Sequence, residues 1–122
     1  MFMQVLFLIG RILLGGYFLY SGYNHFKNLA GMTGYAVMKK VPMARVGVII
    51  SGVMLTLGGL AIVLNRFAIL GMCLVVLFLI PTTIVMHAFW KETDPNAKMM
   101  ERIQFTKNVG FIGALLLLVS IG

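Results

Sequence analysis

Residues 46–89 read VGVIISGVMLTLGGLAIVLNRFAILGMCLVVLFLIPTTIVMHAF and carry a single formally charged side chain, Arg66. The stretch divides at Asn65 and Arg66 into two apolar halves. Each half is close to the ~20 residues that cross ~30 Å of hydrocarbon as a helix. Lipid offers the backbone no hydrogen-bond partner, and no apolar–polar alternation of period two runs through the stretch, so helices are expected rather than a barrel. Two spans joined by a tight hairpin at 65–66 are the reading from which the rest follows.

Outward from this hairpin the chain is equally apolar. Of 122 residues, 61% are hydrophobic and only 11% charged, against roughly a quarter charged in soluble domains. Such a chain cannot cover a water-facing surface. The expected fold is an all-α integral membrane four-helix bundle, one domain over 1–122, with helices near 4–23, 46–64, 67–89 and 95–121. The first apolar run opens at Met1 without a basic leader or an A-x-A-like site, so it reads as the first span and not as a cleaved signal. The lone Cys73 excludes an internal disulfide, a CxxC pair and a multi-thiolate metal site. Its place inside an apolar run reads as a small buried side chain.

Ten basic and three acidic residues leave a net charge of +7. Lys27, Lys39, Lys40 and Arg45 lie between the first two spans, and Lys91, Lys98 and Arg102 between the last two. By the positive-inside rule, loops 24–45 and 90–104 face the cytoplasm and both termini face out. These basic loops suit anionic lipid headgroups; no nucleic-acid partner is expected. Within the first loop, GYAVMKK (34–40) reads either as a short helix lying in the interface or as a solvated loop. Asp94 before Pro95 reads as an N-cap followed by the first residue of the fourth helix. Pro42 sits just before the second span. Pro81 frees a backbone group inside the third, with Thr82 and Thr83 at hand to satisfy it.

Gly15 and Gly22 share a face of the first helix, Gly47, Ser51 and Gly58 a face of the second, and Gly110, Gly113 and Ala114 are neighbours on the fourth. Small residues let helices approach closely in lipid, so helix packing accounts for these glycines. Arg11 is the outlier. About ten residues into the first helix it is expected well inside the apolar layer, where an arginine costs ~2.5–3.5 kcal/mol on insertion scales. It reads either as snorkelling toward the outer headgroups with its stem along lipid or as facing the bundle interior. Its sharing a face with Gly15 and Gly22 favours the interior reading, with backbone carbonyls, Ser51, Thr56 or an anionic ligand as its partner. The other polar residues gather at one level: Asn24 and His25 closing the first helix, His87 and Trp90 closing the third, Gln104, Lys107 and Asn108 opening the membrane part of the fourth. Trp90 reads as an interfacial anchor. His25 and His87 come from two helices at similar depth and could ligate haem from two sides, a weaker reading than a quinone-like carbonyl held by His87 and Lys107. The ten methionines read as adaptable packing rather than a copper site, and no metal site is expected.

Taken in order, Arg11 with its following glycines, FLYSGYNHFKNL (18–29), YAVMKKVP (35–42), LGGLAIVLNR (57–66), MHAFW (86–90) and QFTKNVGFIGALLLL (104–118) resemble the DoxX family of small four-span membrane proteins over nearly the whole chain. The resemblance implies a four-helix bundle in a prokaryotic cytoplasmic membrane. Some relatives are linked to quinone-dependent thiosulfate oxidation, others to redox-stress complexes with soluble sulfur-handling and superoxide-handling enzymes. It carries over onto Arg11, His87, Lys107 and Asn108, with His25 a further ligand-binding candidate. Relatives often carry an acid shortly before the glycine pair of the second helix. Here that region, around Leu55, has none, which would leave Arg11 without its natural partner. The lysine that usually follows the SGY-like segment is displaced, with His25 and Lys27 nearby instead.

Three classes of function remain in view. The first is a redox accessory that binds quinone or docks a soluble oxidoreductase. The second is a noncatalytic scaffold recruiting cytoplasmic partners through the basic loops. The third is a small-solute or lipid transporter built as a homo-oligomer. Neither a nucleophile–base pair nor a carboxylate pair is visible, so a self-contained enzyme is not expected.

Overall fold

The computed structural model describes residues 1–121; Gly122, the end of the expected domain, lies outside them. Five α-helices follow one another: α1 Phe2–Lys27, α2 Leu29–Met38, α3 Ala44–Leu64, α4 Ala68–Met86 and α5 Pro95–Ile121, with a 3-10 turn at Phe89–Lys91 before α5. Four of these segments, α1, α3, α4 with the turn after it, and α5, are long and apolar enough to cross a membrane. The protein is an all-α integral membrane bundle. α2 is a short helix where GYAVMKK allowed one, with Val37 and Met38 exposed.

The breaks between helices have local causes. α2 ends in a Schellman arrangement in which the Lys40 N–H reaches the Val37 carbonyl at 2.9 Å and the Val41 N–H the Ala36 carbonyl at 3.1 Å. Lys40 takes the left-handed position, φ 63°, that glycine usually fills. α3 ends the same way at Asn65 (φ 53°), with Asn65 N–H to Ile62 O at 3.2 Å and Arg66 N–H to Ala61 O at 3.1 Å. Asparagine tolerates this conformation because its short polar side chain relieves it locally, so the hairpin falls where the sequence placed it. At the start of α5, Asp94 Oδ2 accepts the Ala97 N–H at 3.0 Å, the expected N-cap.

Two expectations are revised. α1 extends past 4–23 at both ends, so Asn24 and His25 lie inside it rather than closing it. α4 stops at Met86 instead of running to 89: His87, at φ −116° and ψ 40°, is its C-cap. The Phe89 N–H then bonds to the His87 carbonyl, and the chain turns toward α5.

Small residues set the central crossings. A Cβ on Gly59 would lie 2.8 Å from both the Gly15 carbonyl oxygen and the Leu19 nitrogen, and one on Gly15 would meet Gly59 O at 2.9 Å. Gly22 is likewise closed by Gly52 and Thr56 of α3. On the other face of α3, Gly58 packs on Gly71 and Val75 of α4. By contrast Gly47, Gly110 and Gly113 face open space, so packing within one chain does not explain them. Beneath the crossings, Phe18, Leu55, Ile62, Val75, Leu79 and Leu115 form the core.

Pro81 sits inside α4, but Thr83 does not satisfy a freed group; its Oγ1 is buried without a partner. Cys73 is exposed on the outside of the bundle, not buried within it. The run is apolar all round, so composition could not tell its lipid face from its core face.

Candidate functional site

Two cavities lie at opposite ends of the bundle. The larger, about 780 Å³, sits under α2 and is lined from every helix, by Tyr17, Phe18 and His25 of α1, Tyr35 of α2, Ser51 of α3, Phe78 of α4 and Lys107 and Asn108 of α5 among others. The size falls within the range of small-molecule sites. Four of the five residues singled out from the sequence, His25, His87, Lys107 and Asn108, line it together. Arg11 does not. It lines the second cavity, of about 600 Å³, with Asn65 and Phe67 of the α3–α4 turn and Leu118 near the end of α5.

Arg11 is therefore level with the hairpin and not midway along the bundle. The register of α1 on α3 fixes this: Gly22 meets Gly52 and Gly15 meets Gly59, so Arg11 falls opposite the end of α3. Counting from the start of α1 misplaces it, because the first two turns of α1 reach beyond the hairpin. Leu55 is in the core and lines the larger cavity. An acid there would not have been level with Arg11.

In the larger cavity the polar groups have defined states. His25 Nδ1 lies 2.7 Å from the Ser21 carbonyl oxygen. A carbonyl only accepts, so Nδ1 carries the proton and Nε2 is left as an acceptor in the neutral ring. Lys107 Nζ bonds to Gln104 Oε1 at 2.5 Å and approaches the Tyr17 hydroxyl at 3.4 Å. Asn108 is only 6% exposed, and no hydrogen bond joins its amide to another described residue. The donors and acceptor of that amide are therefore free for whatever occupies the cavity. The rings of Tyr17, Phe18 and Phe111 pack edge-on or tilted with centroids 4.8 to 5.5 Å apart, giving the cavity an aromatic wall beside these groups.

Above the cavity lies a cluster that composition did not reveal. Glu101, 7% exposed, accepts from the Tyr35 hydroxyl at 2.7 Å and from Lys39 Nζ at 2.7 Å, while His87 Nδ1 approaches its other oxygen at 3.4 Å. Lys39 also reaches Glu92 at 2.7 Å. Burial alone would lower the Lys39 pKa; its bonds to Glu101 and Glu92 outweigh that and hold it above the ordinary lysine range. Burial, with the Glu101 carboxylate beside it, pushes the Tyr35 hydroxyl up to about 12, so it stays a donor. The cluster pins α2 to α5 and closes the roof.

Trp90 is half-exposed and packs edge-on to Phe89 and Phe105 at 5.3 and 5.8 Å.

Comparison with known proteins gives two findings. A family model described as DoxX matches residues 6–88. The inner membrane protein YphA of Escherichia coli (strain K12) is 31% identical over 118 residues, covering 97% of this chain and 84% of that protein. No solved structure matches the chain.

Proposed function

This chain belongs to the DoxX family, and on that premise we propose that it is a multi-pass inner-membrane subunit that holds a quinone-like head group in the larger cavity for a redox partner. The observation that carries the reading is Asn108, buried, unpaired and facing an apolar cavity beside the Lys107 ammonium. A quinone presents two carbonyl acceptors on a flat ring. Lys107 and the Asn108 amide supply donors, and Tyr17, Phe18 and Phe111 supply the wall. α1 and α5 touch only lightly, and Tyr17 and Lys107 are exposed along that seam, which gives an alkyl tail a lateral way into lipid. The chain binds and orients; electrons come from a partner oxidoreductase.

The test is titration of the detergent-purified protein with a short-tailed ubiquinone, alongside extraction of any quinone it retains. Asn108→Leu and Lys107→Met each remove a donor, worth ~1–3 kcal/mol, and should weaken binding by about tenfold or more. Arg11→Gln, in the other cavity, should leave it unchanged. No retained quinone and no saturable binding by the unaltered protein would end this reading.

The orientation we propose places the α2 end in the cytoplasm, where Lys27, Lys40, Arg45, Lys91 and Lys98 lie, by the positive-inside rule. Alkaline phosphatase fused after Gly122 should be active and green fluorescent protein fused there dark. Bright fluorescence would invert the arrangement.

A further inference from the structure

The smaller cavity carries a different chemistry. Its walls are apolar, with Phe7, Ile62, Phe67 and Leu118 among them. No Asp or Glu lines it, and Arg11 forms no ion pair among the described residues. The Nε of Arg11 is buried without a hydrogen-bond partner, and its guanidinium lies over the Phe7 ring, 5.5 Å from the centroid. A cation in such a place is expensive unless an anion joins it.

A second observation points the same way. Ala68, Ile69 and Leu70, the first three residues of α4, line this cavity. α4 has no side-chain N-cap, and its first backbone bond is the Gly71 N–H to the Phe67 carbonyl at 2.9 Å. The N–H groups of these three residues therefore have no partner within the helix, and the positive end of the helix dipole lies with them. Phe67 itself holds φ at 54°, a left-handed conformation that a bulky side chain adopts only under constraint. A guanidinium and an open helix N-terminus converge on one pocket, the arrangement that binds oxyanions. The walls beside it, Asn65 apart, are apolar and suit an alkyl chain.

The geometry points to a site for the oxyanion head of an amphiphile, a phosphate or carboxylate bearing an alkyl tail, bound at the hairpin end of the bundle between Arg11 and the start of α4. It is separate from the larger cavity and does not rest on the quinone reading.

Native mass spectrometry of the full chain in mild detergent tests it, with phosphatidylglycerol, palmitate, diacylglycerol and inorganic phosphate added in turn. One phosphatidylglycerol or one palmitate should be retained per chain, the more strongly held identifying the head group as phosphate or carboxylate. Diacylglycerol, with the same tails and no charge, and inorganic phosphate, with charge and no tail, should be held at least about tenfold more weakly. Arg11→Gln should weaken retention of the amphiphile by about tenfold or more, Arg11→Lys should restore part of it, and Arg66→Gln, on the exposed turn, should change nothing. Thermal stabilisation of the unaltered protein by the retained amphiphile, absent with diacylglycerol, gives a readout independent of any variant. Equal retention of diacylglycerol, or an Arg11→Gln protein that binds as the parent does, would overturn the assignment.

Discussion

Replacing Glu101 with alanine will destabilise the bundle by about 3 kcal/mol, because it strands a partly buried ammonium and leaves Tyr35 and His87 without their shared acceptor. Both oxygens of Glu101 are engaged in the structure, and Glu92 alone remains for Lys39. Thermal unfolding in mild detergent reads the loss directly. Glu101→Gln should cost less, since an amide oxygen still accepts from Tyr35. Adding Lys39→Met to Glu101→Ala should recover part of the stability, because the orphaned charge goes with its partner. The sign with pH follows from Lys39. Its pKa is raised by folding, so its contribution is full below the ordinary lysine range and fades only as pH rises through the elevated value. The penalty of Glu101→Ala should therefore be the same at pH 7 and pH 9. A variant that melts with the parent would show the cluster to be a bystander.

Substituting leucine for Gly59 should do comparable damage for a different reason. The new Cβ would stand 2.8 Å from the Gly15 carbonyl and the Leu19 nitrogen, which are backbone atoms and cannot rotate away. α1 and α3 must separate, at a cost of about 3 kcal/mol. The contrast is Gly110→Ala and Gly113→Ala on α5, where an added Cβ meets nothing within 4 Å. There the higher helix propensity of alanine should give up to ~1 kcal/mol of stabilisation. Melting curves of the three variants decide it; instability of the α5 variants would place another surface against those glycines.

The hairpin, the four spans and the cap at Asp94 were legible because each depends on local chemistry: run length, a turn residue that tolerates positive φ, an acid before proline. Glu101 is less legible, because its charge groups it with the loop before the fourth span. Its helical address was nonetheless available. Pro95 starts α5, and the residues α5 buries, Glu101, Asn108 and Leu115, recur every seven positions and so share one face. Glu101 lies two turns before Asn108 on this stripe. Tyr35 and Lys39 fall in GYAVMKK, which by itself suits a short interfacial helix or a solvated loop. That α2 packs on α3 and reaches Glu101 of α5 through the Tyr35 hydroxyl is a long-range fact with no periodic signature. The level of Arg11 relative to α3 is equally hard to read from sequence, because it follows from which glycine meets which across α1 and α3, and spacing along one helix cannot supply that.

The unequal lengths of α1 and α3 bear on the surrounding lipid. With 26 residues against 21 at ~1.5 Å each, α1 measures about 39 Å and α3 about 31 Å. A hydrocarbon slab near 30 Å matches α3 and falls short of α1. The surplus turns, from Phe2 to Ile9, run past the end of α3 and are studded with bare apolar side chains, with Phe7 turned to the smaller cavity beside Leu118 and Val119 of α5. Acyl chains must stretch locally around that spur, or the rod must lean. Either way the thickness mismatch is confined to one flank of the protein, so the bilayer deforms around it unevenly.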